Sequence, residues 1–286
     1  MPPYSIGLIT DSTCDIPAEL RQQYQIGIVP LTVVWGGKQM LDGVELSADA
    51  FYERLVKDPE IPTTSQPSPK QFLEAFKAQQ EAGAREIVVI TISSAMSGTI
   101  ESARRAAEMM DIPIHIYDSR SNSMSLGWQV LAAARAREAG GDAAAMITAA
   151  NQARQRMVYI IVLDTMDYLV KGGRIGGAVR FLGSLLKIKP QISVNHETGK
   201  VEAGIPARSR DSAINGLVRD FFRRLNPQGK LHLAVLHNAA PADATALAEQ
   251  VRRDHAPAEL VMSIVSPCLG VHTGPRAIAL CGYTED

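Results

Sequence analysis

The sequence predicts an α/β protein: a parallel sheet with helices on its faces in three layers (α/β/α), then an α+β half with a mixed sheet. Strands and helices alternate regularly through the first half, the pattern of parallel βα units. Residues 87–92 are apolar and mostly β-branched, as in a strand buried on both faces. The elements beyond are shorter and less regular, which gives the second half its mixed character. The expected units are residues 1–154 and 155–286.

Taken in order, residues 5–10 form a short apolar strand, and Asp11-Ser12-Thr13-Cys14-Asp15 a polar loop. A helix follows over 18–24, with Pro17 suited to its first turn. Residues 28–35 read as one strand ended by Gly36-Gly37, and Ser47 opens a helix to 56. Prolines hold 62–69 extended, and Ser68-Pro69 starts a helix ended by Gly83. The strand 87–92 gives way to Ser93-Ser94-Ala95-Met96-Ser97-Gly98-Thr99 and a helix over 100–108. A strand over 112–118, a hydroxyl-rich loop over 118–127 and a helix over 128–139 repeat the unit.

Residues 142–157 are helical and 158–163 strand-like, with a short helix over 165–170. Lys171-Gly172-Gly173-Arg174 opens a glycine-rich loop. Residues 178–188 carry apolar side chains over more than one face, so this segment is expected to be a buried helix or a cavity wall, helped by Met124 and Leu126. Residues 192–205 form a hairpin around Glu197-Thr198-Gly199. A helix over 212–225, a strand over 231–237, a helix within 241–255, a strand over 261–265, a loop over 267–276 and a strand over 277–283 complete the chain.

Apolar residues make up 46% of the 286, enough for a substantial core. The net charge of −1 argues against a nucleic-acid surface. Cys14, Cys268 and Cys281 form no CxxC pair and are expected to be reduced thiols in a cytoplasm. Met1-Pro2-Pro3-Tyr4 is not a basic segment leading an apolar run, and no stretch reaches about 18 apolar residues. The expectation is a cytoplasmic chain that does not span a membrane. The carboxyls Asp11, Asp15, Asp42 and Asp118 follow no metal-site spacing, and cysteines and histidines make no zinc motif.

Four hydroxyl-bearing loops in the first half can meet at one sheet edge, where open α/β sheets bind ligands. The loop Ser93–Thr99 enters a helix, so backbone N–H groups suit an anion there. Without a lysine it is no P-loop. Helix capping by Ser97 or Thr99 is the plain alternative. Arg208 and His272 are the best complementary groups in the second half, and the set suits a carboxylate or phosphate. A serine hydrolase using Ser97 and His272 is the competing reading, although there is no GxSxG elbow.

Together Ile9-Thr10-Asp11-Ser12-Thr13-Cys14-Asp15, Thr63-Thr64-Ser65-Gln66-Pro67-Ser68, Ser93–Thr99, Asp118-Ser119, Gly172-Gly173-Arg174-Ile175 and His272-Thr273-Gly274-Pro275 resemble the DegV family of bacterial fatty-acid-binding proteins. The resemblance implies two α/β domains with a long-chain fatty acid between them, no further cofactor, and no catalysis by the chain itself. It implies a partner fatty acid kinase that phosphorylates the bound carboxylate, and so a place in phospholipid metabolism. The family's carboxylate ligands match Thr64, Ser65, Ser97, Gly98, Arg208 and His272, with Ser94, Ser119 and Arg174 in support. The family's distant similarity to the substrate-binding part of dihydroxyacetone kinases adds a self-acting phosphotransferase as a third reading. Arg276 stands where the family usually has glycine, and Ser125 near another such position.

Overall fold

The computed structural model describes residues 4–181 and 188–285. In chain order the first strands are β1 (Ile6–Asp11), β2 (Ile26–Val29), β3 (Thr32–Trp35), β4 (Lys38–Leu41), β5 (Thr63–Ser65), β6 (Glu86–Thr91) and β7 (Ile114–Asp118). They are followed by β8 (Val158–Val162), β9 (Gln191–Asn195), β10 (Lys200–Ala203), β11 (Lys230–His237), β12 (Glu259–Ile264) and β13 (Ile278–Glu285).

A parallel sheet of order β2-β1-β6-β7 forms the first half. Ile9 lies beside Val89, and alternate residues face opposite ways. Ile9, Ile87 and Val89 pack with Phe72 and Phe76 of helix Pro69–Glu81 and with Ala103 and Ala106 of helix Thr99–Ala107. Leu8, Val88 and Ile90 face helices Ser123–Glu138 and Ala143–Arg156.

The second sheet has order β10-β9-β8-β13-β11-β12 and mixes parallel and antiparallel pairs. Tyr159 and Ile161 of β8 turn towards the first sheet's cluster. Ile160 and Val162 turn to helices Arg210–Arg224 and Pro241–His255. Helices Ser123–Glu138 and Ala143–Arg156 are therefore a shared middle layer, and the larger core cluster runs through them from sheet to sheet.

Several boundaries differ from expectation. The strand expected over 28–35 is broken at Pro30, which has no N–H to give a ladder. Its parts enter different sheets: β2 joins the parallel sheet, and β3 joins a small antiparallel sheet β4-β3-β5. The turn into β4 uses Gly36 and Gly37, at φ 59° and 73°. Helix Ser123–Glu138 starts five residues before the expected 128, inside the hydroxyl loop. The loop expected over 267–276 contains helix Pro267–Thr273. Of the expected apolar helix over 178–188, Gly176–Phe181 is a 3-10 helix and 182–187 lie outside the described residues.

Candidate functional site

The carboxyl end of β6 runs into Ser93–Thr99. Beside it stand β5, helix Pro267–Thr273 and the glycine-rich turn after helix Asp167–Lys171. These elements enclose a cavity of about 330 Å³ between the two sheets. Its walls are apolar: Ile92 from the first half and Tyr159, Ile161, Ile192, Val194 and Ala279 from the second sheet. Thr64, Ser65, Gln66, Ser97, Gly98, Arg174 and His272 also line it. Those polar residues are exposed or half-buried, so they form the mouth, while Ile161 and Ala279 are buried. The result is an amphiphilic pocket, apolar inside and polar at the solvent end, of ordinary small-ligand size.

At the mouth, His272 Nε2 is 3.0 Å from Thr64 Oγ1 in a hydrogen bond that joins the two halves. His272 Nδ1 is buried and unpartnered. Burial, and then the Arg174 guanidinium, push its pKa down to about 4, so the ring is neutral near pH 7. Gly172 makes room for it: a Cβ there would lie 2.1 Å from His272 Nδ1. The Arg174 guanidinium donates to Gly172 O at 2.8 Å and to Met96 O at 3.4 Å, spanning the gap between the glycine turn and the β6 loop. Ser97 Oγ is 2.8 Å from Thr99 Oγ1. A Cβ on Gly98 would lie 2.1 Å from Gln66 Oε1, so the Gln66 amide covers the Gly98 backbone, and its Nε2 donates to Ser102 Oγ at 3.1 Å. Several neutral donors and one guanidinium converge here, a set that stabilises a desolvated carboxylate.

Of the residues expected from sequence, Thr64, Ser65, Ser97, Gly98, Arg174 and His272 come together at this mouth. Arg208 does not: it is exposed in the bend before helix Arg210–Arg224 and is absent from the cavity lining. The neighbouring Arg210 turns inward instead, to Asp243 at 2.6 Å and the Arg276 carbonyl at 2.9 Å. Ser94 donates to Asp118 at 2.5 Å and Ser119 to the Ser121 carbonyl at 3.2 Å, so both brace the loops outside the cavity. Met124 and Leu126 belong to the core rather than to the cavity wall. Gln66 and Thr273, which stand in the quoted motifs without a ligand role, and Asn122 and Asn238, which sequence did not single out, also line the cavity. Asn238 donates to Thr273 Oγ1 at 2.8 Å and to Gly274 O at 2.6 Å, which pins the end of the helix carrying His272.

The hydrolase reading requires Ser97 on His272 and an acid on the far ring nitrogen. Here Ser97 pairs with Thr99, His272 with Thr64, and Nδ1 with nothing. Among the described residues no group of His, Cys, Asp or Glu is arranged to hold a metal ion, and no helix is long and apolar enough to cross a membrane.

Fold and pocket define an α/β protein of two main sheets closed around an amphiphilic internal cavity. The family profile described as "Uncharacterised protein, DegV family" matches residues 5–285, and the chain belongs to the DegV family. A DegV domain-containing protein of Streptomyces coelicolor is 37% identical over 277 residues, covering 96% of this chain and 97% of the relative. Among solved structures, a DegV family protein from Thermus thermophilus described by its fatty acid binding superimposes with a TM-score of 0.91 at 29% identity, covering 98% of this chain and 99% of that one. DegV of Bacillus subtilis, described as a fatty acid binding protein, gives 0.89 at 28% identity, covering 99% and 100%.

Proposed function

We propose that this chain binds a long-chain fatty acid in the cavity and presents its carboxylate to a fatty acid kinase. The observation that carries the reading is the division of one cavity into an apolar interior and a mouth of hydroxyls, imidazole and guanidinium. An amphiphile with one anionic end matches that division. Each methylene taken from water contributes about 0.8 kcal/mol, so the acyl chain supplies affinity and the head group supplies orientation. Fatty acid binding by the Thermus thermophilus and Bacillus subtilis relatives supports the ligand class.

In this reading Thr64, Ser65, Ser97, Gly98 and His272 hold the carboxylate, and Arg174 and Arg208 face the kinase. The half-buried position of Ser97 and His272 leaves a path from the carboxylate to solvent, which a kinase needs. The chain supplies no catalytic group of its own and works in the cytoplasm. The two sheets act as two domains that divide near the end of helix Ala143–Arg156 and grip the ligand between them.

Mass spectrometry of organic extracts from the purified protein tests the ligand. A fatty acid retained through purification, or taken up when added, is the expected result. Extracts free of fatty acid with no uptake reject the reading. Phosphorylation of the bound acid by a co-purified kinase with ATP tests the partner.

A further inference from the structure

Behind the cavity the two halves meet over three buried aspartates. Asp11 accepts from Ile92 N at 2.7 Å and from Thr13 Oγ1 at 2.5 Å, all within the first half. Asp15 reaches across the seam. Its Oδ2 accepts from Ser123 Oγ at 2.5 Å, and its Oδ1 accepts from Ser266 N at 2.9 Å. Its carbonyl accepts from Ser263 Oγ at 2.8 Å. Asp42 Oδ2 accepts from Ser12 Oγ at 2.7 Å, while Asp42 Oδ1 is buried with no partner. Asp42 is 1% exposed and Asp15 8%. Among the described residues no lysine or arginine forms an ion pair or hydrogen bond with Asp11, Asp15 or Asp42.

Two buried carboxylates without a cation repel each other and lack solvation, so one proton or more stays with them. Burial raises Asp15 and Asp42 to about 7; the hydrogen bonds from Ser123 to Asp15 and from Ser12 to Asp42 pull the other way, and the charge of Asp42 lifts Asp15 further, as that of Asp11 lifts Asp42. The titratable neighbours are Asp11 and Cys14 from the β1 loop, Tyr52 from helix Ala48–Leu55, Tyr159 from β8 and Cys268 from helix Pro267–Thr273. All are pushed upward by burial and are neutral or share the same repulsion. Arg21 is the cation near Cys14.

The seam bears on the ligand site through one element. Ser266 is the N-cap of helix Pro267–Thr273, which brings Cys268, Leu269 and His272 to the cavity. Asp42 acts on Cys268 of the same helix. We propose that Asp15 and Asp42 form a proton-operated latch: with a proton held in the seam the halves close on this helix and seat His272, and loss of the proton loosens the helix and speeds ligand release. The proposal rests on the ligand-binding reading above and adds its regulation. Asp15 and Asp42 are positioning residues, not ligands.

Stopped-flow release of a fluorescent long-chain fatty acid, on the full chain between about pH 6 and about pH 8, tests it. One pKa unit of difference between closed and loosened states shifts their equilibrium about tenfold, and the release rate follows it because release passes through the loosened state. Release from the wild type is expected to accelerate by about that factor as pH rises. Asp42→Asn, a mimic of the protonated acid, is expected to release slowly throughout. A flat wild-type profile, or an unchanged slope in Asp42→Asn, overturns the latch. If no fatty acid binds at any pH, the ligand reading fails instead, and the ligand-free protein still decides the latch. Infrared spectra should show a protonated-carboxyl band at about pH 6 that is lost by about pH 8. Absence of that change overturns the latch without any variant having to fold.

Discussion

Thr64 Oγ1 and His272 Nε2 meet at 3.0 Å although 208 positions separate them in the chain. One hydrogen bond thus ties the hydroxyl loop of the first half to the helix end of the second. His272→Ala removes it and, in the proposed mode of binding, leaves the carboxylate one donor short. Fatty acid affinity should fall by about ten- to a hundredfold, the 1–3 kcal/mol of a lost partner for a buried polar group. Gly172→Ala should weaken binding as well, because its Cβ would displace the imidazole while φ −73° suits alanine. Titration with a fluorescent fatty acid measures both.

Ser97→Ala deletes another hydroxyl at the mouth. Affinity should again drop by about 1–3 kcal/mol. The melting temperature of the ligand-free protein should barely move, since the Thr99 hydroxyl remains. Unchanged affinity would mean that Ser97 serves only the start of its helix.

Arg208 lies outside the cavity with its side chain exposed. Exposed charges steer and orient partners more than they fix affinity. Arg208→Ala should therefore slow phosphorylation by the kinase while fatty acid binding stays near wild type. A coupled kinase assay run beside the binding titration separates the two. An equal loss in both would return Arg208 to the carboxylate site.

Burial lowers four histidines, His196, His237, His255 and His272, and acid should act on the protein most strongly through His196 and His272. Burial, with Arg174 beside His272 and Arg154 beside His196, lowers both from 6.5 to about 4. Between these values the unfolded chain binds more protons than the folded one, so their contribution to stability falls as pH drops from 6.5 towards 4. Asp15 and Asp42, raised from 3.8 to about 7, act in the opposite sense: their contribution falls as pH rises through that window. The histidine share is therefore read by difference. Denaturant unfolding at a series of pH values should show His196→Gln gaining on the wild type as the solution is acidified.

Arg276 has φ 62°, the left-handed region that costs a side-chain-bearing residue about 1–2 kcal/mol. Its side chain is 59% exposed and reaches Asp164 only at 3.9 Å. Arg276→Gly should stabilise the protein by about 0.5–1 kcal/mol, after allowance for glycine's greater unfolded-state entropy. Chemical denaturation measures it. The backbone here explains why glycine suits this position.

The β6 unit was legible because everything that defines it is local: a β-branched run, a hydroxyl loop and a helix-forming stretch. The start of helix Pro69–Glu81 was equally plain, since Ser68 and Gln71 form a capping box behind Pro69. The start of helix Ser123–Glu138 was not. Its first turn, Ser-Met-Ser-Leu-Gly, has the composition of a loop, and it is helical because the surrounding core buries it. Gly127, the last residue of the expected loop, sits where a Cβ would lie 2.6 Å from the Cys14 carbonyl. The small sheet escaped notice because β4 is polar and β5 only three residues long. At the site, hydroxyls and the histidine could be picked by type. The choice between Arg208 and its neighbours depended on which way each side chain leaves the bend, which no local pattern encodes.

The placement of β13 has a consequence for synthesis on the ribosome. This strand is the last of those described, yet it sits between β8 and β11 at the centre of the second sheet, and Ala277, Ile278 and Ala279 line the cavity. While the nascent chain lacks β13, β8 has no partner on that side and the cavity has no floor. The first sheet, whose strands end at Asp118, can pair completely long before then. The cavity is therefore complete only once translation has passed β13, and a half-made polypeptide cannot close around any ligand of that cavity.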